Sequence, residues 1–202
     1  IKHRITQNNI KTCPHSLNSI IIEPREIIDV IKNLIPGKAS GPDGINNRIL
    51  RECMNEITIP LCDLFNYSLQ TCALPDSWKT SNVCAVFKKG DNSLPSNYRP
   101  ISLLNSMEKI FERIVFKHVF NFFSDNNLFT PCQSGFMPGD SAINQLTFLY
   151  DTFCKALDDG LEVRVVFFDI SKAFDKVWHR GLLYKLEKAG IRDQLLLWFS
   201  NY

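Results

Sequence analysis

Val165-Val166-Phe167-Phe168-Asp169-Ile170-Ser171-Lys172-Ala173-Phe174-Asp175 is the stretch on which the reading of the fold turns. Its opening is an almost unbroken apolar run of strand length, which predicts a strand over 162–168 covered on both faces. The run ends in a carboxylate. An ionised Asp at the lip of a buried strand is unfavourable unless a cation or hydrogen-bond donors compensate it. Magnesium does this well, because it is a hard ion that takes one or two protein carboxylates and completes its shell from water and phosphate. The residues alone leave two readings of Asp169 open: a metal ligand, or a cap on the turn or helix that follows.

Outward from this stretch the pattern is mixed, with helices outnumbering strands. Downstream, 181–188 reads as a helix, with Gly190 placed as its C′ residue. Upstream, a helix begins near Ser141, with Ile143, Leu146, Leu149, Tyr150, Phe153 and Leu157 expected to face inward. Before it, Asn105 and Glu108 have capping-box-like spacing, and Ile110, Ile114, Val115, Val119 and Phe122 recur at helical period. Val83-Cys84-Ala85-Val86-Phe87 reads as a short strand leading into a turn at Lys88-Lys89-Gly90-Asp91. A first helix opens at Glu23-Pro24, carries Ile27, Ile28, Ile31 and Leu34 on one face, and stops at Pro36-Gly37. The loop 38–44 (Lys-Ala-Ser-Gly-Pro-Asp-Gly) follows, then helical stretches over about 45–56 and 58–72. Residues 1–22 are irregular and polar and read as a linker.

Composition bounds the function classes. With 202 residues, 45% hydrophobic and 22% charged, the chain can fill one sizeable core or form a large piece of a bigger domain. A net charge of +2 is compatible with nucleic acid without arguing for it. The longest apolar runs fall far short of the roughly 18 residues of a spanning helix, and no apolar segment suits a signal peptide. The chain opens on Ile1 rather than Met, which fits a piece of a longer protein. The seven cysteines, Cys13, Cys53, Cys62, Cys72, Cys84, Cys132 and Cys154, are widely spaced with no Cys-x-x-Cys pair. They read as free, buried thiols in a reducing compartment rather than a zinc site or disulfide framework. His3, His15, His118 and His179 form no ligand pair.

From Phe168 the sequence Phe-Asp-Ile-Ser-Lys-Ala-Phe-Asp-Lys-Val-Trp-His resembles the first catalytic motif of LINE-type (non-LTR) retrotransposon reverse transcriptases. Three more blocks stand in that family's order: 38–44, 97–104 (Asn-Tyr-Arg-Pro-Ile-Ser-Leu-Leu) and Gln133-Ser134-Gly135-Phe136. Within that family the blocks resemble those of jockey-like elements. The resemblance implies an α/β fold, the fingers and first part of the palm of a right-hand polymerase, with fingers over 23–160 and the palm starting at 161–202. It implies RNA-directed DNA synthesis on an RNA template and DNA primer from deoxynucleoside triphosphates, with two Mg2+ ions in the complete domain, and nuclear localisation for the active element. Asp169 would be the catalytic carboxylate and, with the Ile170 carbonyl, a metal ligand. Lys88 and Arg99 would grip the triphosphate, with Lys89 able to share or replace Lys88. Phe174 would lie under the incoming sugar and exclude a ribose 2′-hydroxyl. Lys38 and Gln133 would touch template, and Asp175 and His179 would order the turn and the next helix. Without the resemblance, Phe174 reads as core and Lys88 and Arg99 as a solvated basic loop.

The sequence also departs from the family. No aromatic-x-Asp-Asp tetrapeptide, the second pair of catalytic carboxylates, occurs in it; Asp158-Asp159 lies before Asp169 in the wrong context. Met137 and Asp140 stand where the family often carries basic residues, which weakens contact with a phosphate backbone. The expectation is therefore a truncated domain, inactive alone. A non-catalytic remnant that at most binds RNA is the reading from another class. A group II intron or telomerase-type enzyme is disfavoured by the Gly-Pro-Asp-Gly and Arg-Pro-Ile-Ser-Leu-Leu blocks.

Overall fold

The computed structural model describes residues 12–202. Among them it places seven α-helices and one antiparallel two-stranded ribbon, a mixed helix and strand architecture. The helices are α1 (Pro24–Lys32), α2 (Asn47–Glu52), α3 (Met54–Thr71), α4 (Ser106–Asp125), α5 (Ala142–Asp158), α6 (His179–Lys188) and α7 (Asp193–Asn201). The strands are β1 (Asn82–Phe87) and β2 (Tyr98–Leu103), and short 3₁₀ turns lie at Asp76–Lys79, Pro95–Asn97 and Phe174–Lys176.

Helix α1 forms where its end signals allow. Pro24 fills the first position, where no N–H is needed, and Glu26 Oε2 accepts the Glu23 N–H at 3.1 Å. The same carboxylate meets His118 Nε2 at 2.9 Å and so ties α1 to α4. The apolar spacing along α1 buries Ile27 and Ile31 completely, and Leu34 just beyond the helix almost so. Helix α3 stops at Cys72, which adopts the left-handed conformation (φ 55°).

The core is built on aromatic rings. Phe65 of α3 stacks on Phe111 of α4 with centroids 4.6 Å apart, and Trp78 meets both edge-on at 6.0 and 5.8 Å. Trp198 of α7 closes the group 5.3 Å from Phe111. Its indole N–H finds a partner in Ser68 Oγ at 3.2 Å, as a buried Trp requires. Ile27, Ile31, Leu50, Ile110, Ile114, Ile191 and Leu195 pack around these rings.

Several expectations change here. Of the expected linker, residues 1–11 lie outside the described residues, but 12–22 packs into the fold. Leu17 forms a parallel bridge with Ile191, and its N–H donates to Gly190 O at 2.8 Å. Asn66 receives the Ile22 N–H at 2.8 Å and donates back to the Ile22 carbonyl at 2.9 Å. Cys13, Ile20 and Ile22 are buried, so this stretch takes its structure from side chains far along the chain rather than from local pattern. Gly190 has φ +101°, and a Cβ there would stand 2.4 Å from the His15 carbonyl oxygen, so glycine permits the close pass. The cysteines are all free, but only Cys13, Cys62 and Cys72 are buried. No helix among the described residues is long and apolar enough to cross a membrane.

The larger correction concerns the strand expected over 162–168. The segment forms no ladder, and Phe167 and Phe168 are 87% and 93% exposed. A strand needs hydrogen-bond partners along its edge, and β1 and β2 satisfy only one another. Helix α5 forms, capped by Ser141 Oγ accepting the Asn144 N–H, yet its supposed inward residues Ile143, Leu146, Tyr150 and Leu157 are exposed and it buries no residue.

A buried carboxyl sits at the start of α4. Glu108 is 5% exposed, and burial, helped by nearby Glu112, raises its carboxyl from the ordinary 4.5 to about 7. In the unfolded chain the group ionises near 4.5, so the folded state holds the extra proton between about 4.5 and 7. Stability is therefore expected to be greatest below pH 4.5 with respect to this group and to fall through pH 7, by on the order of 3 kcal/mol. Glu108→Gln should flatten that slope in urea titrations at stepped pH. In the same assay Phe65→Ala is expected to cost about 3–5 kcal/mol, whereas Phe168→Ala should fall within about 0.5 kcal/mol of the parent chain.

Candidate nucleotide-binding ribbon and carboxylate loop

The expected site residues fall into groups positioned by different means. The ribbon is the most ordered. Register pairs Phe87 with Tyr98 and Val86 with Arg99, and the Lys88 N–H extends the ladder to Asn97 O at 2.9 Å. Opposed residues share a face of an antiparallel pair, and so do residues two apart on one strand. Arg99 therefore lies on the face of Val86, and Lys88 lies on that face as well, diagonal to Arg99. The pairing brings together two cations eleven positions apart in sequence, on an exposed ribbon.

The turn between them is held by its own polar groups. Asp91 Oδ1 accepts from the Ser93 N–H and hydroxyl at 2.9 and 2.7 Å, and these bonds hold its carboxyl below the usual range. Asn97 Nδ2 donates to Asp91 O at 2.8 Å, close over Gly90, whose φ is +92°. Tyr98 reaches back to Asn92 O at 2.8 Å, and its ring meets Phe87 at 5.5 Å.

What anchors the ribbon is the joint after β2. Asn105 is buried, and its Oδ1 accepts the Asp43 N–H at 3.2 Å while its Nδ2 donates to Ser77 O at 2.8 Å. Ser106 Oγ donates to Ile45 O at 2.8 Å. The loop 38–44 thus lies against the start of α4, and Gly41 is needed there. A Cβ at 41 would stand 2.5 Å from the Leu104 carbonyl carbon and oxygen. Spacing suggested Asn105 as a capping residue of α4. Asn105 is the N-cap, and the Glu108 carboxyl takes its backbone N–H as the capping-box spacing with Glu108 predicts. The Asn105 side chain, however, makes no cap bond and bridges two other segments. The sequence singled out these two blocks but carried no sign that they touch.

Asp169, Ile170 and Phe174 share one exposed loop. Phe174 opens a 3₁₀ turn, is 86% exposed, and borders an apolar groove of about 740 Å³ that also touches Val177, His179, Leu182 and Phe199. Lys172 in this loop has φ 54°, and Lys176 Nζ donates to Ser171 Oγ at 3.2 Å. Asp169 has no hydrogen-bond or ion-pair partner among the described residues, and Asp175, expected to order the turn, has none either. Lys38 is exposed. Gln133 sits in an exposed turn, its side-chain amide donating to Gly135 O at 3.2 Å. Nearby Asp140 is held below its usual range by Ser134 and Ser141, so this turn ends in a firm negative charge. No described hydrogen bond or ion pair joins the ribbon, the carboxylate loop and the Gln133 turn.

Residues 86–202 match the family described as reverse transcriptase (RNA-dependent DNA polymerase). The chain is 32% identical over 168 residues to a probable RNA-directed DNA polymerase from transposon BS of Drosophila melanogaster, an alignment covering 83% of the chain and 18% of that protein. It is 31% identical over 178 residues to the RNA-directed DNA polymerase from mobile element jockey of Drosophila funebris, covering 88% and 19%. A Pol polyprotein from type-1 retrotransposable element R2 of Popillia japonica is 29% identical over 131 residues, covering 64% and 17%. The chain thus spans about a fifth of the length of the curated relatives it matches.

Asn105→Ala removes two bonds from a buried joint and is expected to destabilise the fold by about 1–3 kcal/mol. Hydrogen exchange should speed up at the Asp43 amide in that variant while the amides of α1 stay as they are. Unchanged exchange at Asp43 would mean that the loop is held by other contacts.

Proposed function

The chain belongs to the reverse transcriptase family, and from that membership we propose that it supplies the nucleotide-gripping ribbon and the first catalytic carboxylate of an RNA-directed DNA polymerase of a non-LTR retrotransposon. In this reading 23–160 are fingers and 161–202 begin the palm of a right-hand polymerase, with 1–22 preceding them. The partners are an RNA template, a DNA primer and deoxynucleoside triphosphates, and the working compartment is the nucleus.

The observation that supports the reading is the exposed β1–β2 ribbon, in which Arg99 pairs with Val86 and the Lys88 N–H continues the ladder to Asn97 O, leaving the two cations diagonal neighbours at its end. A triphosphate needs spread positive charge. Arg offers a planar fork that can bond two phosphate oxygens at once, and Lys a mobile point charge. Phe174 is the residue to lie against the sugar, since an aromatic ring offers no partner and little room for a 2′-hydroxyl. Lys38 and Gln133 are the template contacts proposed, the second opposed by the charge on Asp140.

For Mg2+ the residues fit only in part. Asp169 is an exposed carboxylate free of partners among the described residues, and the Ile170 carbonyl lies next to it in the chain, both hard oxygen donors of the kind the ion prefers. Yet no group of three acidic, His or Cys side chains among the described residues is gathered to hold a metal. One carboxylate and a carbonyl fall short of a two-ion centre, so no catalytic step is assigned to this chain alone. The second reading, a non-catalytic, degenerate remnant that binds RNA at most, is favoured by the same shortage.

Titration with a fluorescent deoxynucleoside triphosphate tests the ribbon. Lys88→Ala with Arg99→Ala is expected to weaken binding by about tenfold or more, and equal affinity for parent and double variant would remove the assignment. On a poly(A)/oligo(dT) substrate with magnesium, no primer extension is expected from the chain. Incorporation that is robust and disappears in Asp169→Ala would show that the carboxylate needs no further ligands from elsewhere.

A further inference from the structure

A second cavity, of about 270 Å³, lies at the start of α4, apart from the ribbon and the carboxylate loop. Trp78, Leu74 and Leu104 contribute apolar wall, Glu108, Glu112 and Tyr202 contribute polar groups, and residues 79–81, Lys79 among them, complete the rim. Glu108 is 5% exposed, and its Oε2 is buried with no hydrogen-bond partner among the described residues. The Asn105 backbone N–H bonds this carboxyl, which leaves Oε2 waiting for a donor. Glu112 is already engaged by the Tyr202 hydroxyl, whose ionisation burial and that carboxylate suppress. No ion pair reaches Glu108 among the described residues.

We propose that this cavity is a binding site for an organic cation, a guanidinium or alkylammonium group that donates to Glu108 Oε2. A buried acceptor without a donor is costly, and a ligand that satisfies it gains what the fold leaves unmet. Positive charge is called for because Glu112 and Asp43 stand near Glu108 and raise the cost of its ionisation, while Lys109 of its own helix offsets them. Lys79, on the cavity wall, makes no ion pair with Glu108. The apolar and aromatic walls suit a weakly hydrated cation on an alkyl stem rather than a strongly hydrated metal ion. A metal is disfavoured further because no group of three potential ligands is gathered among the described residues. The volume fits one side-chain-sized group and falls below that of ordinary drug-sized pockets. The cation could come from an arginine side chain of a partner polypeptide or from a free polyamine, and both satisfy the same acceptor.

The probe is propylguanidinium, titrated into the full chain labelled with carboxyl-¹³C glutamate, with neutral propylurea as the control. The ligand competes with the proton on Glu108, so its affinity should rise with pH and level off above about 7, and the Glu108 midpoint should move down on binding. Glu108→Gln, checked for folding by circular dichroism, is expected to lose about tenfold or more in affinity. Lys79→Met serves as the second variant, because the Lys79 chain borders the cavity. Affinity retained in Lys79→Met supports the site. Binding seen only in Lys79→Met, with the Glu108 midpoint raised there, would show that Lys79 itself fills the cavity and would overturn the proposal. No saturable shift of the Glu108 resonance, or equal binding by Glu108→Gln or of propylurea, would do the same. Once binding is established, an arginine-containing peptide and spermidine tell the two sources apart by which displaces the probe at lower concentration. Displacement by neither would count against a biological ligand of this class.

Discussion

Phe65 and Phe111 stack with centroids 4.6 Å apart, and the arrangement of the helical body follows from that contact. The stack fixes how close α3 and α4 can come. Trp78 then packs edge-on against both rings and Trp198 against Phe111, so the turn after α3 and the last helix are drawn onto the same centre. Edge-on contacts around a stacked pair satisfy ring quadrupoles as well as burying area, which makes the geometry more specific than aliphatic packing alone. Residues 74, 104 and 108 lie beside this centre, which is why the strand ribbon and the Glu108 cavity are its neighbours.

Polar joints convert that apolar body into defined positions for the loops. Asn105 connects the loop at Asp43 with the turn at Ser77, and β2 runs straight into it. The Lys88 and Arg99 side chains therefore project from a ribbon whose base is fixed and whose tip is braced by Asp91, Asn97 and Tyr98. A rigid base with exposed cations is a suitable arrangement for gripping an anionic ligand, since little order remains to be imposed on binding. The carboxylate loop lacks such bracing. Between Asp159 and Trp178 its described side-chain bonds are those of Arg164 to Glu162 and Lys176 to Ser171, apart from contacts of Trp178.

The exposed apolar surfaces share one physical cause. The run at 165–168 has the composition of a buried strand, and α5 carries an apolar face, yet neither is covered by any described element. A helix closes its hydrogen bonds internally and forms regardless, which is why α5 is a helix even with its apolar side open. A strand cannot do so. Without a neighbour to complete its ladder, the 162–168 segment forms no strand, and its side chains from 164 to 168 stay exposed.

Much was decided by sequence alone. The helices were legible from periodicity and end signals, as at Pro24, Ser141 and Gly190, because those signals act within a turn or two. The family was legible from four ordered blocks, and with it the chemistry expected of Asp169, Lys88 and Arg99. The sequence could not disclose that Asn105 bridges residues 62 positions and 28 positions away. Nor could it disclose that residues 12–22 wrap onto α3 and the α6–α7 turn, or that Glu108 is buried with an oxygen unmatched. Those outcomes depend on which surfaces meet, and contact between distant segments leaves no local period. The apolar run ending at Asp169 shows the boundary best. Its residues fixed what a strand there would look like, but only a partner in space could make it one, because every ladder hydrogen bond of a β-strand has its partner on a neighbouring strand.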